Sequence, residues 1–168
     1  MRFIRSFSCL VACALMLGLA ATLPAAAQGA IAFKGLRAGA GLPVEITADQ
    51  LSVSQADAQG TFSGNVLVVQ GDLRLSADTL LVSYLDGDRK KIDKLTATGN
   101  VLLSTPTEAA KGAKAVYSLT SRQIEMTGDV LLTQGDSVMS GNSLTVDLAS
   151  GTGQMNGRVK TVLQPVTK

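Results

Sequence analysis

From Phe62 to Tyr84 the chain reads FSGNVLVVQGDLRLSADTLLVSY, with apolar residues at alternate positions, a Gly-Asp interruption and then alternation again. A period of two sends every second side chain to one face of an extended strand, so this segment predicts amphipathic strands joined at a tight turn. The pattern starts earlier, with Val44 and Ile46 against Glu45 and Thr47, then Leu51 and Val53 against Ser52 and Ser54. No stretch shows helical periodicity. The chain is therefore expected to be all-β.

The ribbon recurs. A small residue, a polar residue and an alternating run occur at Ala48 (ADQLSV), Ala77 (ADTLLV) and Gly141 (GNSLTV), with a looser copy at Ala113 (AKAVYSL). Glycine, a polar residue and an apolar strand occur at Gly64, Gly99, Gly128 and Gly157, which lie 35, 29 and 29 residues apart. The longer unit contains LDGDRKK, Leu85 to Lys91, read as a charged loop inserted into one repeat. Each unit is predicted to hold several short strands, with turns at Gly-Asn, Gly-Asp or Asp-Gly. Such a ribbon cannot bury its apolar face alone, so the units must stack or fold over one another. An ordinary β-sandwich is the plainer reading. Against it stands the scarcity of large side chains: beyond residue 27 the aromatics are Phe33, Phe62, Tyr84 and Tyr117. Two facing aliphatic walls with little to wedge between them would leave an apolar slot.

The amino terminus has the layout of a secretory leader. Arg2 and Arg5 precede an apolar run from Cys9 to Leu23, followed by Pro24 and Ala25-Ala26-Ala27, which predicts residues 1–27 as a signal peptide cleaved before Gln28. Export to the periplasm follows. Both cysteines, Cys9 and Cys13, fall in the leader, so the exported chain would be stable without disulfides. Loss of Arg2 and Arg5 would leave 13 basic residues against 13 acidic ones, a balance that offers no basic surface for nucleic acid. Residues 28–43, rich in Gly and Ala, read as a flexible lead-in; residues 44–164 form the single domain, and 165–168 a carboxy-terminal tail.

Enzyme chemistry is disfavoured. The chain has no histidine and the exported part no cysteine, which removes the usual nucleophile–base pairs and most zinc sites. No phosphate-cradling loop with Gly-Lys-Ser/Thr is present, and no cofactor is predicted. The densest acidic cluster, Asp86, Asp88 and Asp93, is interleaved with Arg89, Lys90, Lys91 and Lys94, which reads as a solvated, charge-balanced loop. Asp49 and Asp78 recur at one repeat position, which suggests turn formation.

The runs PVEITADQLSV and GTFSGNVLVVQGDLRLSADTLLVSY, followed by MTGDVLL and a closing GRVKTVLQP, resemble the OstA-like family in content and order over Val44 to Pro165. The resemblance implies a β-jellyroll of short antiparallel strands folded like a taco shell, whose open apolar interior carries the lipid A part of lipopolysaccharide. It also implies end-to-end joining between an inner-membrane LptC-like domain, with its ABC transporter complex, and an outer-membrane LptD-like amino-terminal domain, or a head-to-tail homo-oligomer. Alternation places Val44, Ile46, Leu51, Phe62, Val66 and Val68 on the candidate lipid face, followed by Leu75, Leu80 and Val82. Later strands add Val101, Leu103, Tyr117, Leu119, Met126, Val130, Leu144 and Val146. The end strands, with Val44, Glu45 and Ile46 at one edge and Arg158, Val159, Lys160, Thr161, Val162 and Leu163 at the other, carry little that would block an added strand. A second reading is a structural β-repeat filament of the envelope without lipid cargo; it would have a filled core.

Overall fold

The computed structural model describes residues 31–33, 41–54, 56–85 and 88–163, all in strands, turns and short connections. The strands are β1 (Ile31–Ala32), β2 (Glu45–Thr47), β3 (Gln50–Ser54), β4 (Gln59–Gln70), β5 (Leu73–Leu85), β6 (Asp88–Ser104), β7 (Glu108–Ser118), β8 (Gln123–Gln134), β9 (Ser137–Asp147), β10 (Thr152–Asn156) and β11 (Lys160–Val162). They form one antiparallel sheet in the order β1-β10-β9-β8-β7-β6-β5-β4-β2, with β3 added to β4 and β11 to β9. Sequence neighbours pair almost throughout, as hairpin-connected repeats require. The expected leader and the 165–168 tail lie outside the described residues.

The Gly-Asn and Gly-Asp pairs at 64–65, 99–100 and 128–129 are not turns between strands. They sit in the middle of β4, β6 and β8, where the pairing register slips. Each of these strands is two short arms meeting at a bulge, and bulges bend a strand while leaving it in the sheet. Among the described residues, the two-residue turns between strands are Gly71-Asp72 and Gly135-Asp136. The bulges of β4 to β8 line up across the sheet into a corner. On one side lie the arms with residues 59–63, 79–83, 94–98, 114–118, 123–127 and 143–147; on the other lie 66–70, 73–76, 101–104, 108–111, 130–134 and 137–141.

Backbone conformation explains the sequence at the corner. Gly99 and Asn100 both adopt positive φ (77° and 47°), and the same pair of conformations recurs at Gly64-Asn65 and Gly128-Asp129. Glycine takes that region freely, and Asn and Asp are the other residues that visit it readily. Asn65 Nδ2 donates to Asp49 Oδ2 and Asn100 Nδ2 to Asp78 Oδ2, each at 2.8 Å. The repeated aspartates thus fasten neighbouring strands at the corner. In the next repeat Ala113 takes the aspartate's place and Asp129 the asparagine's, so two carboxylates never face each other there.

The sheet is folded about this corner. Tyr117 and Gln70 lie on opposite arms, some ten residues apart across the corner, so in a flat sheet they would be separated by on the order of 30 Å. Tyr117 Oη instead donates to Gln70 Oε1 at 3.0 Å. Between the two walls runs one aliphatic core in which Leu80, Leu95, Met126, Val130, Leu132, Leu144 and Val146 are fully buried.

Two expectations change. Residues 31–33 are not a loose lead-in: Ile31 and Ala32 pair with Gly153 and Thr152, and Phe33 is buried in the core. The charged insertion is not a loop throughout, because β6 begins at Asp88 and prolongs the β5–β6 hairpin, with Lys91 and Asp88 paired at 3.3 Å on its surface.

Candidate functional site

The inner face of the folded sheet is the candidate site, and register decides which residues belong to it. Leu51, Phe62, Leu80, Ala97, Ala115, Met126, Leu144 and Met155 form one row across the first arm. Val53, Gly60, Val82, Leu95, Tyr117, Ile124, Val146 and Gly153 form the next row. On the opposing arm the corresponding row is Ile46, Val68, Leu75, Leu103, Ala110, Leu132, Met139 and Thr161. Of the candidate lipid-face residues, Val66, Val68, Leu75, Leu80, Val82, Val101, Leu103, Tyr117, Met126, Val130, Leu144 and Val146 are buried, and Val44, Ile46, Phe62 and Leu119 are half-buried.

The interior is packed. A cavity of about 10 Å³ lies beside Tyr117, lined by Val68, Gln70, Leu73, Leu75, Leu103, Ala115 and Ile124. This is the size of a single water, far too small for an acyl chain. The open slot expected from aliphatic composition is packed here among the described residues, with the small side chains Ala97, Ala110 and Ala115 buried on the inner face. Burial falls away at the end of the sheet. Leu80 is 0% exposed, Phe62 next to it is half-buried, and Leu51 and Val53 on β3 are 57% and 65% exposed although they share the inner face. Leu51 thus belongs to the candidate face but stands at its uncovered end.

The edges are where the end strands leave backbone unpaired. Among the described residues, β2 and β3 pair on one side only, with β4, and β11 pairs on one side only, with β9. The strands are shorter than anticipated: Val44 precedes β2, and Arg158, Val159 and Leu163 flank β11. Glu45 is exposed at one edge, and Arg158, Lys160, Thr161 and Val162 at the other, with Val159 and Leu163 50% and 70% exposed.

Polar groups gather where the walls meet away from the corner. Gln70 is buried, accepts from Tyr117 and donates through Nε2 to the Leu42 carbonyl at 2.9 Å. Gln134 occupies the same repeat position and donates to the Ala32 carbonyl at 2.7 Å and to Glu108 Oε1 at 2.8 Å. Glu108 is buried, and its Oε2 has no hydrogen-bond partner among the described residues. Periodicity passes over these glutamines; the signal that marks them is the tripeptide Gln-Gly-Asp, which occurs at 70–72 and again at 134–136. Of the acidic residues weighed as catalytic candidates, Asp88 accepts from the Lys90 backbone N–H and Asp93 from the Thr120 hydroxyl, and Asp86 lies outside the described residues. Among the described residues no three His, Cys, Asp or Glu side chains converge on a metal position.

Burial pushes the Tyr117 phenol above its ordinary pKa, opposed by the charge of Arg122. The neutral phenol is therefore favoured by folding, so this contribution is complete below the unfolded tyrosine pKa and is lost as pH rises through the higher folded value. Tyr117→Phe should lower stability by about 1 kcal/mol at neutral pH, since Gln70 Oε1 loses its donor. It should also flatten the alkaline decline. Urea midpoints measured at intervals from neutral to alkaline pH check this; an identical alkaline decline in both proteins would remove Tyr117 as its source.

Residues 45–152 match the model of the LptA/(LptD N-terminal domain) LPS transport protein family. An uncharacterized protein of Rhizobium meliloti (strain 1021) is 32% identical over 165 residues, covering 90% of this chain and 89% of that protein. The lipopolysaccharide export system protein LptA of Escherichia coli (strain K12) is 31% identical over 137 residues, with 78% and 72% covered. Among solved structures, LptH, the LptA homologous periplasmic component of the lipopolysaccharide transport device from Pseudomonas aeruginosa, superposes with a TM-score of 0.66 at 16% identity, over 74% of this chain and 96% of that one. That likeness establishes the jellyroll fold, and the sequence matches establish descent: the chain belongs to the LptA/LptD amino-terminal-domain family of lipopolysaccharide transport proteins.

Proposed function

We propose that this chain is a periplasmic carrier that takes the lipid A part of lipopolysaccharide between the two walls of its folded sheet. It passes the lipid from an inner-membrane transporter with an LptC-like domain towards an outer-membrane LptD-like domain. The observation that carries the reading is the uncovered end of the inner face, where Leu51 and Val53 are exposed beside a core that is almost fully buried. An apolar face that continues past its own core suits a guest or a further copy of the same fold.

The packed interior sets the mechanism. Acyl chains can enter only if the walls part about the corner. Each buried methylene contributes about 0.8 kcal/mol, so ten from one chain offer about 8 kcal/mol against wall separation. Several chains buried in full would pass the practical affinity ceiling of roughly 20 kcal/mol and would never be released. Partial burial with near-equal affinity in successive domains lets the lipid move on, and the drive comes from the transporter.

The same packing favours a second reading, a structural envelope filament with a filled core and no cargo. Photocrosslinking separates the two. A photoreactive residue at Leu51, on the inner face, should form an adduct with lipopolysaccharide, and one at Leu67, on the outer face of β4, should not. Equal or absent adducts at both positions would leave the filament reading standing.

A further inference from the structure

The short strand β1 lies where a neighbouring molecule would have to dock. β1 runs antiparallel to β10, and the Phe33 N–H extends the pairing to the Gly151 carbonyl at 2.7 Å. Beyond β10, the same bent edge continues through β11, whose outer side pairs with no strand among the described residues. The opposite end of the sheet is the bent pair β2–β3. Because strand direction alternates through the whole order, β2 and β3 of a second copy set against β11 and β10 would continue the antiparallel alternation on both arms. Charge agrees, since Glu45 is on one edge and Arg158 and Lys160 are on the other.

In this arrangement β1 and the second copy's β3 compete for the same side of β10. They also look alike to it. Ile31-Ala32-Phe33 and Leu51-Ser52-Val53 are both apolar, small, apolar, with Ile31, Leu51 and Val53 in inner-face rows. Phe33 fills the space over Gly153, where an added Cβ would collide with its ring, and it lines a small cavity with Leu103, Ala110 and Leu132 of the opposing wall. Its removal would open the interior at that end.

We propose that residues 31–33 are a cis strap that mimics β3 of a second copy, and that docking of that copy displaces the strap and withdraws Phe33 from between the walls. The proposal rests on the carrier reading above and ties opening of the groove to assembly. The hold on the strap suits release. Besides the Phe33 ring, it consists of a two-residue strand, the Phe33 N–H bond to Gly151 and the Gln134 bond to Ala32, beside a buried carboxylate, Glu108, with one oxygen unpartnered among the described residues.

A disulfide between Ala32→Cys and Thr152→Cys would lock the strap without touching the core, since these residues are directly opposite and both exposed. It would be built in the full chain with Cys9 and Cys13 replaced by Ala. Circular dichroism verifies the fold; light scattering measures self-association, and lipid A in phosphatidylcholine vesicles measures loading. The oxidised form should associate and load at least about tenfold more weakly than the same protein reduced, and Phe33→Ala should associate about tenfold more tightly than wild type, the order expected from the burial it gives up. Equal association and loading by the oxidised and reduced forms would overturn the strap and leave the carrier standing. Failure of the reduced form and wild type alike to associate or load would overturn both.

Discussion

Val101→Glu should abolish the fold at neutral pH, while Leu51→Glu, on the same inner face, should leave it intact. Val101 is 1% exposed and stands next to the corner, whereas Leu51 is 57% exposed on the end strand. At Val101 the change forfeits apolar burial of about 1.5–3 kcal/mol. It also buries a carboxyl, which pushes its pKa up or unfolds the chain to hydrate it. Together these effects reach about 5 kcal/mol or more, comparable to the whole stability of a typical domain. The introduced group would have a raised folded pKa, so its penalty should shrink as pH falls towards the ordinary glutamate range and be full above the raised value. At Leu51 the carboxylate stays in water, and the expected change is within about 0.5 kcal/mol. That variant should nevertheless lose lipid loading, because acyl chains at the end of the face would have to desolvate it. Thermal melts of both variants decide the stability contrast. A Val101→Glu protein that melts like wild type would mean that the walls stand apart in solution.

The second large effect is expected at the corner. Gly99→Ala should cost about 2–4 kcal/mol, against about 1 kcal/mol for Gly135→Ala. Both glycines have positive φ, 77° and 55°, so both substitutions carry the strain of a side chain in the left-handed region, about 1–2 kcal/mol. They differ in space. A Cβ at Gly135, in the β8–β9 turn, would meet nothing within 4 Å, whereas one at Gly99 would meet the Asp78 carboxylate and stand 2.9 Å from its Cβ. To make room Asp78 must move, which also breaks its hydrogen bond from Asn100. Denaturant unfolding of the two variants isolates the collision from the strain, and equal losses would show that the corner yields. Since the corner is the line about which the walls must part, Gly99→Ala should also change lipid loading more than its stability loss alone accounts for.

How much of this was legible beforehand differs between the face and its geometry. Period-two alternation identifies the inner-face residues because side chains on a strand have no choice but to alternate. Hence Leu80, Val82, Tyr117, Met126 and Leu144 are assigned to one surface from the sequence alone, and register across the sheet agrees. The repeat spacing likewise reveals hairpin units, and the absence of histidine and of cysteine beyond residue 27 argues against the common catalytic arrangements. The resemblance of the motifs in order supplies the family, which the matched residues 45–152 bear out.

Other features depend on residues far apart in the chain. Gly-Asn reads as a turn locally, because positive φ suits a hairpin as well as a bulge; only pairing of Asn65 with Asp49 and of Asn100 with Asp78 distinguishes a corner inside a strand from a turn between two. Phe33 stands in a Gly- and Ala-rich stretch without period, and its burial is decided by the space over Gly153, 120 positions later in the numbering. Gln70 and Gln134 become wall-bridging and strap-holding groups only when the sheet folds over. The sequence by itself determined which side chains share a surface, since that follows from the covalent geometry of an extended chain. The tertiary structure alone decided whether that surface stands open or packs against itself, because that depends on which distant residues the fold brings together across the corner, as it brings Tyr117 to Gln70.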